Sequence, residues 1–133
     1  MTNNSIVTST DGITWTGRGA NIFTSYGVCV HYHDGIWVAG GVGTNSLAYS
    51  LDGTNWTGLG NSLFAQCRDV TYADGKWVAV GAGGANRLVT SPDGINWTGQ
   101  GSIVFSSFKS IAFNGTLWVG VGSSGSSNSS IAY

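Results

Sequence analysis

Glutamate is absent from this 133-residue chain, proline occurs once, cysteine twice, and charged residues make up only 8%. The missing Glu excludes any mechanism that requires one. Five Lys plus Arg against six Asp leave a net charge of −1. That balance provides no basic stripe to neutralise phosphates, so nucleic-acid binding is not expected. No apolar run approaches the ~20 residues of a membrane span, so membrane insertion is not expected. The first residues, Met1-Thr2-Asn3-Asn4-Ser5, show neither a basic n-region nor an apolar h-region, and no localisation is assigned. Cys29 and Cys67 do not form a disulfide framework and read as free thiols.

What is abundant is small and polar. Gly accounts for 22 residues, and Ser, Thr and Asn together for 40. Such residues favour turns and strands over helices. Apolar residues at 41% still allow a packed core, within one domain over residues 1–133.

The dominant feature is internal repetition. Trp15, Trp56 and Trp97 are spaced by 41 residues, as are Phe23, Phe64 and Phe105. Trp37, Trp77 and Trp118 follow at 40 and 41. The first Trp series closes a recurring turn motif: Ser9-x-Asp11-Gly12-x-x-Trp15, Ser50-x-Asp52-Gly53-x-x-Trp56 and Ser91-x-Asp93-Gly94-x-x-Trp97. In each motif Ser and Asp are placed to accept backbone N–H bonds, and Gly supplies a permissive φ. All six Trp of the two series are expected to be structural.

Each ~41-residue unit carries four short strand candidates. In the middle copy they span 69–73, 76–81, 87–91 and 96–99. Asp74-Gly75 and Asp93-Gly94 are turn signals between them. Units fall roughly at 1–26, 27–67, 68–108 and 109–133, with the two terminal pieces combining into one shared unit. Residues 5–9 read as a third strand, and so do residues 130–133. The order predicts thirteen strands in an all-β fold.

The Ser-x-Asp-Gly-x-x-Trp motif resembles a shortened Asp-box, the turn of sialidase-like and related β-propeller repeats. The stretch Tyr72-Ala73-Asp74-Gly75-Lys76-Trp77-Val78-Ala79-Val80-Gly81 is similar to the strand pair that precedes that box in many propeller blades. The resemblance implies a β-propeller whose Asp-boxes are structural. Three blades are too few for a ring, since known rings typically hold 4–8. A homodimer would supply six, each chain completing the other's unfinished blade. Three four-stranded units also describe a β-trefoil, which closes as a monomer; the strand offset and the Val-Gly strands favour the propeller.

Catalytic chemistry is scarce, and no enzymatic activity is expected. Five of the six Asp (Asp11, Asp34, Asp52, Asp74 and Asp93) sit in turn signals, leaving only Asp69 outside one. That composition offers no obvious carboxylate pair for glycoside hydrolysis. Cys29, His31 and His33 fall on one face of a strand, and His-x-His can present two nitrogens to Zn²⁺. The plainer reading is drifted repeat positions, so no metal or other cofactor is expected. Five Asn-x-Ser/Thr triplets, at Asn3, Asn55, Asn96, Asn114 and Asn128, follow from composition alone. Polar connections at 17–23, 58–64 and 99–105, with Gly-rich ones at 41–46, 82–87 and 122–130, suit weak multivalent binding. Two function classes follow. One is a non-catalytic binding or scaffold module for carbohydrate or a surface partner. The other is a self-assembling propeller fragment with no ligand.

Overall fold

The computed structural model describes residues 3–102, 104–124 and 131–133. Ser130, Asn128 and most of the 122–130 connection lie outside them. The described residues are all-β, with thirteen strands, no helix and only antiparallel pairing. None of the sheets closes into a barrel.

Strands β1 (Val7–Thr8) and β2 (Thr16–Gly17) form a two-stranded sheet. Strands β3 (Tyr26–His33), β4 (Ile36–Val42), β5 (Leu47–Ser50) and β6 (Thr57–Gly58) make a four-stranded meander. A second follows with β7 (Gln66–Ala73), β8 (Lys76–Ala82), β9 (Leu88–Ser91) and β10 (Thr98–Gly99). Strands β11 (Ser107–Phe113), β12 (Trp118–Ser123) and β13 (Ile131–Ala132) make a third, three strands wide. The expected strands are all present. The fourth strand of the middle copy is shorter than expected, Thr98–Gly99, because the preceding residues belong to the Asp turn.

Local chemistry explains the hairpins. Asp34 and Asp74 adopt φ of 44° and 52°, followed by Gly35 and Gly75 at 85° and 72°. Two successive left-handed residues form the turn whose twist matches a right-twisted strand pair, and Asp-Gly tolerates it best. A register shift recurs at the same place in each long first strand, between Gly27 and Cys29, Cys67 and Asp69, and Phe108 and Ser110.

Consecutive meanders touch along their edges through one ladder pair each, Val42 with Gln66 and Ala82 with Ser107. Otherwise they stack face to face, with β3 beside β7 and β7 beside β11. One apolar cluster fills each junction. Phe23, Ala39 and Ala48, with Ile6 and Trp56 against them, join β1–β2 to the first meander. Val38, Leu47, Phe64, Val70, Trp77 and Val89 join the first and second. Val78, Val80, Phe105 and Phe108, with Ile111 and Trp118 alongside, join the second and third. The 41-residue Phe series therefore places one buried ring in every junction.

Candidate functional site

The three Asp turns behave as their residues require. Ser91 Oγ accepts the N–H of Gly94 at 2.8 Å and donates to Asp93 Oδ1 at 2.9 Å. Asp93 Oδ1 accepts the N–H groups of Ile95 and Asn96 at 2.9 and 2.8 Å, and Oδ2 accepts the Asn96 carboxamide at 2.7 Å. Asp52 repeats the set with Thr54 and Asn55, and Ser50 bonds Gly53. Asp11 repeats the backbone part with Ile13 and Thr14, and Ser9 bonds Gly12. Gly12, Gly53 and Gly94 sit at φ between 74° and 77°, where a side chain would be strained.

These bonds hold all three carboxyls well below the usual carboxylate range. Backbone N–H donation is the largest cause, from Thr14 to Asp11, from Asn55 to Asp52 and from Asn96 to Asp93. Asp52 and Asp93, each with both carboxylate oxygens engaged, have little capacity left for a ligand.

The Trp residues that close the turns differ. Trp56 and Trp97 donate their indole N–H to the Gly53 and Gly94 carbonyls, both at 3.0 Å. Trp15 is instead 58% exposed, against the expectation of a packed structural role. Its turn lies beside β1–β2, which stand without a first and second strand of their own among the described residues. Trp77 is buried, while Trp37 and Trp118 are half-buried.

Cys29, His31 and His33 do share a face, and that face is the junction with β7. The His33 ring stacks on Tyr72 with centroids 3.5 Å apart and planes at 12°. His31 meets Trp77 edge-on at 5.6 Å. Cys29 Sγ lies 3.9 Å from Cys67 Sγ. Both cysteines are free thiols, yet they are neighbours, although they occupy non-equivalent repeat positions. Among the described residues no group of three or more His, Cys, Asp or Glu is placed to hold a metal ion. Burial lowers the His31 pKa first and His33 repulsion second, while Asp69 acts in the opposite direction.

Asp69, the acid outside the turns, bridges two first strands. Its Oδ2 accepts Ser110 Oγ at 2.7 Å and the Ile111 N–H at 3.0 Å.

A second repeated device escapes a motif search. Asn4, Asn45 and Asn86 accept the N–H groups of Gly19, Gly60 and Gly101 at 2.8–2.9 Å. The carboxamides of Asn45 and Asn86 donate to the Ile22 and Leu63 carbonyls at 2.7 and 2.9 Å. Asn45 and Asn86 each thereby fasten the connection leaving their own meander to the one entering it. Gly17, Gly58 and Gly99 face these carboxamides so closely that a Cβ there would overlap them. The signal is in the sequence, because both Asn and Gly recur at 41 residues.

A cleft of about 1010 Å³ opens between β1–β2 and the first meander. Its walls include Ile6, Thr8, Trp15, Val30, Trp37 and Trp56. In the two later junctions, the first and second strands of the preceding meander lie against the first strand of the next.

No family model, curated protein or solved structure matches the chain. The repeat grammar and the geometry of the junctions therefore carry the functional reading.

Proposed function

We propose that the chain is a non-catalytic β-propeller module, a scaffold of blades that binds carbohydrate through its repeated polar connections. One observation supports the propeller architecture above others: the same junction recurs between consecutive meanders. A buried Phe, a Val from a second strand and a first strand of the next meander meet each time. Stacked four-stranded meanders with their first strands side by side are the arrangement of propeller blades around an axis. The turn carboxylates are occupied in holding their own loops, which suits a framework role. Repetition would then multiply weak contacts into avidity.

A glycan array probed with the 133-residue chain tests the binding half. Retention on one glycan class, lost in competition with the free sugar, supports it. A clean null across all classes favours the second reading, a self-assembling fragment with no ligand. The open cleft beside β1–β2 is the observation behind that alternative.

A further inference from the structure

We propose that the cleft between β1 and β3 is the seat for strands β11 and β12 of a second copy of this chain. The inference rests on the propeller reading and names a partner for β1, which pairs only with β2 among the described residues.

The chain's own junctions show what belongs there. In the first meander β4 pairs with β5 through Trp37–Ser50, Val38–Tyr49, Ala39–Ala48 and Gly40–Leu47. In the second, β8 pairs with β9 through Trp77–Ser91, Val78–Thr90, Ala79–Val89 and Val80–Leu88. The segment Ile6-Val7-Thr8-Ser9 around β1 occupies the third-strand positions of Leu47-Ala48-Tyr49-Ser50 and Leu88-Val89-Thr90-Ser91, but β1 pairs only with β2. Strand β12 carries the matching second-strand residues, Trp118-Val119-Gly120-Val121. The repeat register therefore sets Trp118 of one copy opposite Ser9 of the other, and Val119 opposite Thr8.

Burial marks both halves of the interface. Val70 of β7 is 3% exposed under the first meander, whereas its counterpart Val30 of β3 is 58% exposed on the cleft wall. Val38 and Val78 are 0% and 3% exposed in their junctions, whereas Val119 is 36% exposed. Seating β11–β12 in the cleft brings Val119 onto Val30 and Trp37, the pairing that Val38 makes with Val70 and Trp77. It also pairs the open edge of β1, which otherwise faces water. Reciprocal exchange puts six blades in a two-fold ring, which closes without leaving a further edge.

Strand β13 holds the seat on β12 in the meantime. Gly120 pairs with Ala132 and Val121 with Ile131, the register of Ala39–Ala48 and Gly40–Leu47. It makes two pairs where β1 would make four, and Tyr133 beside it is 93% exposed. β13 is thus a placeholder that the second copy's β1 displaces.

Two residues that face each other only across this interface make the direct test. The double variant Thr8→Cys, Val119→Cys, in a Cys29→Ser, Cys67→Ala background, should give a covalent two-chain species on mild oxidation. Light scattering on the unmodified chain should give a two-chain mass that Val119→Asp and, separately, Val30→Asp reduce to one. Removing residues 131–133 should leave the two-chain species at least as abundant. A monomer in which Thr8→Cys and Val119→Cys fail to cross-link between chains overturns the inference. If small-angle scattering of that monomer still fits a fan of stacked meanders, the propeller reading survives; a compact barrel overturns both. A three-chain mass overturns closure at two copies.

Discussion

The thiols of Cys29 and Cys67 face each other at 3.9 Å across the junction between the first and second meanders. The two residues come from different positions of the repeat, and Gly40 packs against both, so closely that a Cβ there would overlap the sulfurs. Cys67 is fully buried, and burial pushes its thiol pKa well up, with the Cys29 thiol adding to the shift. The thiolate, not the thiol, is the nucleophile that attacks an alkylating reagent. Iodoacetamide should therefore label Cys29 before Cys67 in the native chain, and both at similar rates in guanidinium. Mass mapping of the labelled peptides decides it; equal native rates would contradict the burial.

Trp77 and Ile13 should respond to truncation in opposite ways. Trp77 is 1% exposed in the central cluster, and Trp77→Ala should cost about 3–5 kcal/mol through lost contacts and a residual cavity. Ile13 is 84% exposed, and Ile13→Ala should stay within about 0.5 kcal/mol. Denaturant titration of both variants gives the comparison.

Gly58→Ala should destabilise the fold because the new methyl would overlap the Asn45 carboxamide. The cost should shrink in an Asn45→Ala background, where the obstacle is gone, although that background has already lost bonds to Gly60 and Ile22. A double-mutant cycle by thermal unfolding measures the coupling. Simple additivity would show that the close approach does not limit position 58.

Acid should weaken the junction between the first and second meanders through His31. Its folded pKa lies below the ordinary 6.5, chiefly from burial. Below that value the unfolded chain binds a proton that the folded chain resists, so stability is full above 6.5 and falls as pH drops through the histidine range. The thermal midpoint should be lower at about pH 5.5 than at about pH 7.5. His31→Gln should flatten the difference over that interval; an unchanged slope would clear His31 of the effect.

Much of the architecture was legible because three independent registers repeat at 41 residues. The Trp, Phe and Ser-x-Asp-Gly series each mark the same unit, and thirteen strands follow from counting. The Asp turns were readable too, since their bonds run between residues two and three apart. Junction chemistry was not. A period tells which residues are equivalent but not which equivalents touch, so His33 on Tyr72 and Asp69 on Ser110 appear only in three dimensions. His31 and His33 read as drifted repeat positions on a strand face, and the aromatic rings of Trp77 and Tyr72 that face them lie beyond what the period shows. Asn45 was hidden for another reason: its recurrence with Asn4 and Asn86 lies in loops so rich in Ser, Thr and Gly that it reads as ordinary loop filler.

The single ladder pairs between meanders, Val42 with Gln66 and Ala82 with Ser107, have a mechanical consequence. A continuous ladder would lock the tilt of one sheet against the next, whereas one pair acts as a pin. The angle between neighbours is then set by the thickness of what lies between them, by Phe64, Val38 and Val70 rather than by the backbone. Curvature becomes a property of side-chain volume. Trimming or enlarging those few residues would retune how sharply the chain bends while each sheet keeps its own strand pairing.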